Sequence, residues 1–256
     1  MKDTLFDLSG RVALVTGGSK GLGKAMAREL ALAGADIVIS SRHEDELKAA
    51  LDEIVAGTQV RGTFCVADMT QRQDVETLSR SALAAMGKVD ILINNAGYNI
   101  PEVLDGMGFE NWDRTVELNL TSCVALTAAL IPQMKERQWG RVINISSIMA
   151  LGGKEGRSSY AATKAALIGM TRVHALELGP YGITVNCLCP GPFLTDLPKS
   201  VLSQEQIDSF SRQTAVGRWG DPRELAGPAL LMASEAGSYI TGTTLTVDGG
   251  VMCRTF

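Results

Sequence analysis

The chain has little of what several common classes of protein require. Aromatic residues make up only 5% of its 256 residues, and it has only two histidines. Its five cysteines are an odd number, and their spacing matches no zinc-binding pattern. We therefore expect no metal site. The cysteine usage fits a reducing compartment, and we expect a cytoplasmic protein.

The sequence also lacks a block of basic residues and a long apolar run. Its formal net charge is −4 at pH 7, whereas a nucleic-acid-binding surface needs clustered lysine and arginine. Nucleic acid is therefore not an expected partner. The N-terminus carries Asp3, Asp7 and Arg11 ahead of any apolar core that a signal peptide would need. No stretch approaches the roughly 20 apolar residues of a membrane span, so no membrane partner is expected.

Apolar runs rich in β-branched residues alternate with amphipathic stretches along the whole chain. Hydrophobic residues make up 45% and charged residues 20%, which is typical of a globular protein with a sizeable core. Several runs are apolar at nearly every position, which indicates strands covered on both faces. The predicted strands are 11–16, 36–41, 63–68, 89–95, 141–147, 183–190 and 243–250, and the predicted helices are 22–33, 44–56, 71–86, 111–137, 158–179 and 222–235.

This alternation predicts a parallel sheet with right-handed crossovers. We expect one doubly wound, Rossmann-type α/β domain over residues 1–256, with a seven-stranded parallel sheet flanked by helices on both faces. The segment 193–219 is longer and more polar than a plain connection. We interpret it as a lid or substrate loop; the alternative is a surface excursion without function.

A glycine-rich turn follows the first strand. Gly17, Gly21 and Gly23 have the spacing G-x3-G-x-G, which differs from the commoner G-x-G-x-x-G dinucleotide fingerprint. Glycines here allow the backbone to approach a pyrophosphate, which free amides at a helix N-terminus stabilise. An ordinary tight turn could carry the same glycines. The position in the first β-turn-α unit of a doubly wound sheet favours a dinucleotide site.

The end of the second strand bears on which dinucleotide binds. An NAD site has a carboxylate about 20 residues after the glycines, whereas an arginine accommodates the 2′-phosphate of NADP. Ser40 and Ser41 occupy the acidic position, Arg42 follows them, and Lys20 adds a cation inside the glycine turn. Both cations could also be solvated surface charges. The missing acid and the two cations together favour NADP(H).

Two further strand ends carry polar residues. Asp68 follows the third strand, where it could contact an adenine or cap the next helix in competition with Thr70. The segment NNAG, residues 94–97, ends the fourth strand. Its amides could bond neighbouring strands or border a cofactor channel, and the two roles are compatible.

Tyr160 and Lys164 lie one helical turn apart in the segment SSYAATKAALIG. Hydride transfer to a ketone makes an alkoxide, which must be protonated as it forms. A free phenol, with a pKa near ~10, is a poor base at neutral pH, and an ammonium one turn away favours the phenolate. The pair is therefore a candidate proton donor and acceptor. The alternative is that Tyr160 and Lys164 are an ordinary pair on an amphipathic helix. Ser147, at the end of the fifth predicted strand, could likewise be a strand-end cap and no more.

Six fragments in register resemble the short-chain dehydrogenase/reductase family. They are TGGSKGLG, NNAG, Asn119 within VELNLTS, Ser147 within INISS, YAATK and PGPFLTD. The similarity extends from about Leu8 to TVDGG near the C-terminus, essentially the whole chain. Within the family, the chain is similar to 3-oxoacyl-carrier-protein reductases and gluconate 5-dehydrogenase-like members.

The resemblance implies an NADP(H)-dependent oxidoreductase acting on a carbonyl or secondary alcohol: a 3-oxoacyl thioester, a sugar acid or a similar ketone. It implies that Tyr160 is the acid/base, that Lys164 assists it and holds the nicotinamide ribose, that Ser147 bonds the substrate oxygen, and that Asn119 orders a water on the proton path. The cofactor-binding residues that it implies are Gly17, Ser19, Lys20, Gly21, Leu22, Gly23, Ser41, Arg42, Asp68, Met69, Asn95, Ala96, Gly97, Tyr160, Lys164, Pro190, Gly191, Phe193 and Thr195.

The resemblance also implies a homotetramer built on helices 111–137 and 158–179 and on the last strand region. The apolar helix 111–137 could equally be a central core helix. An alternative function is a catalytically inactive dinucleotide-binding scaffold or regulator, against which the intact Asn-Ser-Tyr-Lys set argues. Candidates for an apolar substrate wall are Met149, Leu151, Phe193, Leu194, Leu197 and Trp219, although any of them could instead belong to the core. Lys154, Arg157 and Lys199 could attract an anionic group of the substrate or could simply be solvated.

Overall fold

The computed structural model describes residues 5–195 and 202–253. Seven strands form one parallel sheet in the order β3-β2-β1-β4-β5-β6-β7. The strands are β1 (Val12–Thr16), β2 (Asp36–Ser41), β3 (Gly62–Val66), β4 (Ile91–Asn94), β5 (Gly140–Ile145), β6 (Ile183–Pro190) and β7 (Thr244–Val247). The predicted doubly wound, seven-stranded parallel sheet is confirmed.

Helices cover both faces of this sheet, and strand alternation gives each face its own apolar core. On β1, Ala13 and Val15 face one core while Val12 and Leu14 face the other. Helices α1, α2 and α8 pack on the first side, and α3, α5 and α6 pack on the second. The helices are α1 (Gly21–Leu32), α2 (Glu44–Val55), α3 (Arg72–Met86), α4 (Phe109–Val116), α5 (Ser122–Glu136), α6 (Ser158–Leu178), α7 (Gln204–Gln213) and α8 (Pro222–Ala233).

A π-helical turn at Glu117–Thr121 joins α4 to α5 in one 28-residue helical segment, Phe109–Glu136. Contrary to the sequence-based expectation, this segment is long and apolar enough, by length and composition alone, to cross a membrane. Leu126, Leu130 and Met134 are fully buried against α3 and the sheet. Thr127 Oγ1 accepts a hydrogen bond from Asn94 Nδ2 at 3.1 Å. These contacts are those of a core helix.

The segment predicted as a lid contains a helix that the apolar pattern did not reveal. Helix α7 begins at a capping box, in which Ser203 Oγ accepts from Gln206 N and Gln206 Oε1 accepts from Ser203 N. The S-x-x-Q spacing was the available signal for this helix. Residues 196–201 of the segment, including Leu197 and Lys199, lie outside the described residues.

Candidate active site

The carboxyl ends of the strands position the predicted residues. The strand order reverses between β1 and β4, which is where ligands bind in open parallel sheets. Two clefts open along this edge. The first, called the glycine-turn cleft here, has a volume of about 640 Å³ and is lined by Gly17, Lys20, Arg42, Asp68 and Gly97, among others. The second, called the serine cleft, has about 560 Å³ and is lined by Ser147, Met149, Pro190, Phe210 and Met252, among others.

The glycines of the first turn are required by close backbone contacts. Gly17 and Gly21 have φ angles of +65° and +53°, a left-handed conformation that disfavours a side chain. A Cβ on Gly23 would overlap the carbonyl oxygen of Gly17 and lie 2.5 Å from Asn95 Nδ2. Asn95 Nδ2 itself donates to the carbonyl oxygens of Thr16 at 2.8 Å and Gly17 at 3.2 Å. The turn and the end of β4 are thus locked together.

Thr16 is a site residue that the sequence analysis missed. Its Oγ1 accepts from the backbone amides of Asn95 at 3.0 Å and Ala96 at 2.9 Å. Asn94 Nδ2 donates at 2.9 Å to Asn144 Oδ1 on the neighbouring strand β5, while Ala96 and Gly97 line the glycine-turn cleft. The NNAG segment therefore both ties strands together and borders the cleft.

Arg42, Lys20 and Ser41 all line the glycine-turn cleft, but they differ in their partners. Lys20 Nζ forms an ion pair with Glu46 Oε1 at 2.7 Å, and this hydrogen bond lowers the pKa of Glu46. Arg42 is exposed and has no ion pair within the part of the chain that the structure describes. Ser41 Oγ is buried and has no hydrogen-bond partner there. Ser19 and Met69 complete this side of the cleft.

Asp68 lies in the glycine-turn cleft, two residues beyond the end of β3. Its Oδ1 accepts from both the amide and the hydroxyl of Thr70 at 2.9 Å. Burial raises the pKa of Asp68, but these bonds and the charges of Arg42 and Arg114 outweigh it, so the pKa is lowered. Helix α3 begins after Gln71, with no side-chain cap, so neither Asp68 nor Thr70 caps it.

A buried polar cluster joins α6 to the π-helical turn. Lys164 is only 4% exposed, and its Nζ donates to the carbonyl oxygen of Ile145 at 2.7 Å. The same Nζ lies 5.6 Å from the ring centroid of Tyr160. Asn119 is fully buried and bonds the backbone of Tyr98 in both directions, at 3.0 and 2.9 Å. These contacts bring three of the four predicted catalytic residues into one neighbourhood.

Gly97 lies against this cluster. A Cβ at Gly97 would be 3.0 Å from Asn119 Oδ1 and 3.3 Å from Lys164 Nζ. The π-helical turn holds Asn119 at this point, and such local widening of a helix is frequent at functional sites. No proline or glycine in residues 117–121 signals the turn in the sequence.

Ser147 lies on the wall of the serine cleft, beyond the end of β5. Its Oγ accepts from the Met149 amide at 3.1 Å, so it caps the short 3₁₀ turn that follows. The neighbouring Ser146 is directed elsewhere, because its hydroxyl donates to the Lys164 carbonyl oxygen at 2.7 Å. Ser147 is therefore the hydroxyl that faces the cleft, and it is also a cap.

The loop after β6 connects the two clefts. Pro190 and Gly191 line the serine cleft, while a Cβ on Gly21 would lie 3.3 Å from Thr195 Cγ2, so this loop faces the glycine turn. Phe193 is 7% exposed and packs in the core, rather than in the substrate wall where the sequence suggested it. Leu22, the remaining predicted cofactor residue, packs against the same core.

Most of the wall of the serine cleft comes from residues and segments that the sequence analysis selected, and Ile148, Val251 and Met252 are additions to it. Phe210 arrives from α7, and Val251 and Met252 arrive from a C-terminal turn. Asp248 holds that turn, because its carboxylate accepts from the amides of Gly250 at 2.9 Å and Met252 at 2.8 Å. Met149 lines the cleft as predicted, and Leu151 is exposed.

Lys154 and Trp219 also contact helix α7. Lys154 lines the serine cleft, with its Nζ 5.2 Å from the ring centroid of Phe210. Trp219 packs edge-on against the same ring at 5.5 Å and donates from Nε1 to the Ile207 carbonyl oxygen at 2.9 Å. The ring of Phe210 on α7 is thus contacted by a cation of the cleft wall and by the indole of Trp219.

Comparisons with known proteins agree with this geometry. Residues 11–206 match the family described as short chain dehydrogenase. The chain is 39% identical over 245 residues to 3-oxoacyl-acyl-carrier-protein reductase FabG of Vibrio cholerae, covering 96% of this chain and 98% of that protein.

Two solved structures have nearly the same fold. One is a protein from Agrobacterium tumefaciens assigned as a gluconate dehydrogenase, with a TM-score of 0.93, 32% identity, and coverage of 98% of this chain and 100% of that one. The other is a 7α-hydroxysteroid dehydrogenase in complex with NADH and 7-oxo glycochenodeoxycholic acid, with a TM-score of 0.91, 36% identity, and coverage of 96% and 95%.

The chain belongs to the short-chain dehydrogenase/reductase family. It is an oxidoreductase of that type, acting on CH–OH and C=O groups of a small-molecule substrate. The predicted family is thereby confirmed.

Substitution of Gly23 by alanine tests the locked turn. Because the new Cβ would meet backbone atoms of Gly17 that cannot rotate away, we expect Gly23→Ala to lower the free energy of unfolding by about 1–3 kcal/mol. Gly227→Ala in α8 is the matched control, since a Cβ there meets nothing within 4 Å. Alanine should leave the control as stable as the wild type or more stable. Urea unfolding measures both, and equal stability of the two variants would contradict the packing described.

Proposed function

We propose that this chain is an NADP(H)-dependent oxidoreductase that interconverts a carbonyl and a secondary alcohol. The observation that carries the proposal is the buried Lys164 ammonium, which lies between the ring of Tyr160 and the Ile145 carbonyl oxygen at the carboxyl edge of the sheet. The proposal treats the chain as one catalytic domain. A catalytically inactive dinucleotide-binding scaffold is the competing function.

The residues of the glycine-turn cleft fit a nicotinamide dinucleotide. Gly17, Gly21 and Gly23 allow the close backbone approach that a pyrophosphate needs at the start of α1. The buried, unpartnered hydroxyl of Ser41 offers a hydrogen bond at the end of β2, where the adenosine ribose of such cofactors binds. The bound nicotinamide would supply or accept the hydride.

Arg42 supports NADP(H) as the dinucleotide. It directly follows Ser41, lines the cleft and keeps its guanidinium exposed, and no carboxylate stands at Ser40 or Ser41. A guanidinium matches the bidentate geometry of a phosphate. Lys20 lies on the same wall, although it already has a carboxylate partner in Glu46.

Tyr160 and Ser147 are proposed to act on the substrate oxygen. Ser147 Oγ uses its acceptor capacity on the Met149 amide, which leaves its hydrogen to donate into the serine cleft. A hydroxyl held in place by a cap is preorganised for the charge that develops on that oxygen. Tyr160 would donate its phenolic proton to the same oxygen during reduction and recover it during oxidation.

Lys164 and Asn119 are proposed to support this proton transfer. The Lys164 ammonium is held 5.6 Å from the ring centroid of Tyr160 and would also hold the nicotinamide ribose. Asn119 Oδ1 and Lys164 Nζ both pack against Gly97, so the two side chains lie close together. Asn119 would hold the water that relays a proton from the ammonium to solvent. Both side chains are buried, so their positions are fixed before substrate binds.

The serine cleft supports a ketone with a sizeable apolar body. Ile148, Met149, Phe210, Val251 and Met252 give it an apolar wall, and Gly152 and Gly153 leave space beside Ser147. We propose a 3-oxoacyl thioester, a sugar acid or a similar ketone. The related FabG is named for a 3-oxoacyl substrate, and the related steroid dehydrogenase binds an oxo acid.

Removal of the Tyr160 hydroxyl is the direct test of the proposed catalysis. We expect Tyr160→Phe to lower kcat by at least about a hundredfold, which is a typical contribution of general acid–base catalysis. NADPH affinity should change by less than about twofold, because the phenylalanine keeps the ring. Tyr181→Phe, at the far end of α6, is the matched control. Unchanged turnover in Tyr160→Phe would support the scaffold function instead.

Reversal of the charge at Arg42 tests the cofactor. Since a hydrogen bond to a charged group contributes about 1.5–3 kcal/mol, Arg42→Asp should raise the KM for NADPH about tenfold or more. The KM for NADH should stay within about twofold. Arg80→Asp, an exposed position on α3, controls for the change in net charge. An equal rise in both KM values in Arg42→Asp would defeat the assignment to NADP(H).

We also propose a cytoplasmic homotetramer. Helices α5 and α6, which the family resemblance assigns to subunit contacts, carry exposed apolar side chains at Val124, Val173 and Leu176. Leu176 is 81% exposed in the single chain. A second copy of the chain would cover this surface.

Sedimentation equilibrium tests the assembly. The wild type should sediment at four times the mass of the chain, and Leu176→Asp should shift the distribution to smaller species, because a buried charge destabilises an interface. Leu32→Asp, an exposed leucine at the end of α1, is the control. A monomeric wild type would rule out the tetramer.

A further inference from the structure

A carboxylate lies inside the glycine-turn cleft, beside the two cations that support NADP(H). Glu46 is in the first turn of α2 and lines the cleft together with Lys20 and Arg42. Its Oε1 is 2.7 Å from Lys20 Nζ. The Glu46 side chain is 33% exposed and that of Lys20 is 64% exposed, so the pair faces the cleft and the solvent. The glycine and strand-end motifs did not point to this residue.

The side chains around Arg42 and Lys20 carry too little net positive charge to neutralise a 2′-phosphate. Arg114 and Asp68 also line the cleft, and their charges offset each other. Arg42 and Lys20 carry two positive charges and Glu46 carries one negative charge, so the cleft has a net charge of +1 before the exposed His43 is counted. A 2′-phosphate carries about −1.5 to −2 charges at neutral pH. It must therefore share Lys20 with Glu46 and accept the repulsion of the carboxylate. The neutral ribose hydroxyls of NAD(H) do not compete with Glu46 for Lys20, and the carboxylate does not repel them.

We infer that Glu46 is a specificity-determining residue that weakens the preference for NADP(H) and lets the chain accept NAD(H) as well. It acts by holding Lys20 and by placing a negative charge on the wall that would receive the 2′-phosphate. The inference rests on the proposed function, since it concerns the dinucleotide of the same site.

The ion pair also predicts how the two residues depend on each other. Loss of Lys20 removes one cation and at the same time releases the full charge of Glu46 into the cleft. Lys20→Met should therefore weaken NADPH binding by more than the loss of one exposed cation alone would weaken it. The double variant Lys20→Met/Glu46→Gln should recover part of that loss, because the released carboxylate is gone.

The chain contains a matched control for this pair. Lys24 and Glu53 form a second ion pair between α1 and α2, one turn further along α1 from Lys20. Neither residue lines the glycine-turn cleft. Glu53→Gln makes the same chemical change between the same two helices without altering the charge of the cleft wall.

Direct binding measurements test the inference without relying on turnover. NADPH and NADH would be titrated into the wild type, Glu46→Gln, Glu53→Gln, Lys20→Met and the double variant, with the fluorescence of the reduced nicotinamide giving each Kd. We expect Glu46→Gln to bind NADPH about fivefold more tightly, which is the upper range for an exposed ion pair. Its Kd for NADH should stay within about twofold, as should both values for Glu53→Gln.

The outcomes separate this inference from the proposed function. If both nucleotides bind the wild type and Glu46→Gln leaves the ratio of the two Kd values unchanged, the role of Glu46 is overturned and the proposed oxidoreductase stands. The role of Glu46 is also overturned if Glu53→Gln changes the ratio of the two Kd values as much as Glu46→Gln does. If neither nucleotide binds the wild type, the proposed function fails and the inference fails with it. Thermal unfolding of all variants shows that each remains folded.

Discussion

One buried ammonium organises the candidate active site. Lys164 donates to the Ile145 carbonyl oxygen at the end of β5, and its amine is almost completely removed from solvent. A buried charge is costly unless polar groups surround it. The Ile145 carbonyl oxygen supplies one such group, and Asn119 Oδ1, which packs with the ammonium against Gly97, supplies another. The position of Tyr160 on the same helix follows from this anchoring.

The nucleotide half of the site depends on a different lock, between the end of β1 and the end of β4. Asn95 and Ala96 donate hydrogen bonds to Thr16 that fix the glycine turn against the NNAG segment. β1 and β4 are neighbours where the strand order reverses, and Gly17, Ala96 and Gly97, which adjoin this lock, line the cleft. Gly97, at the end of the NNAG segment, packs against the side chains of Lys164 and Asn119. The two halves of the site are therefore held together by side-chain contacts with the backbone.

The sheet and the motif-bearing turns could be predicted from sequence because they follow short-range rules. The strands are apolar at alternate or at all positions, and the glycines and the Tyr160–Lys164 spacing have local physical reasons. The π-helical turn at Asn119, the threonine lock at Thr16 and the pair Lys20–Glu46 could not be predicted in this way. Each depends on contacts between segments that are distant in the chain. The sequence left open whether Phe193 lies in the substrate wall or in the core for the same reason, since its ring packs in the core beside Gly220.

The central claim is that this arrangement performs hydride transfer to a carbonyl and does not merely bind a dinucleotide. The most direct measurement follows the absorbance of NADPH and NADH in parallel, with the wild type and a panel of ketones, keto acids, sugar acids and acyl thioesters. The account predicts that at least one carbonyl class is reduced and that NADPH is consumed more efficiently than NADH. Binding of both nucleotides without consumption by any class would contradict it.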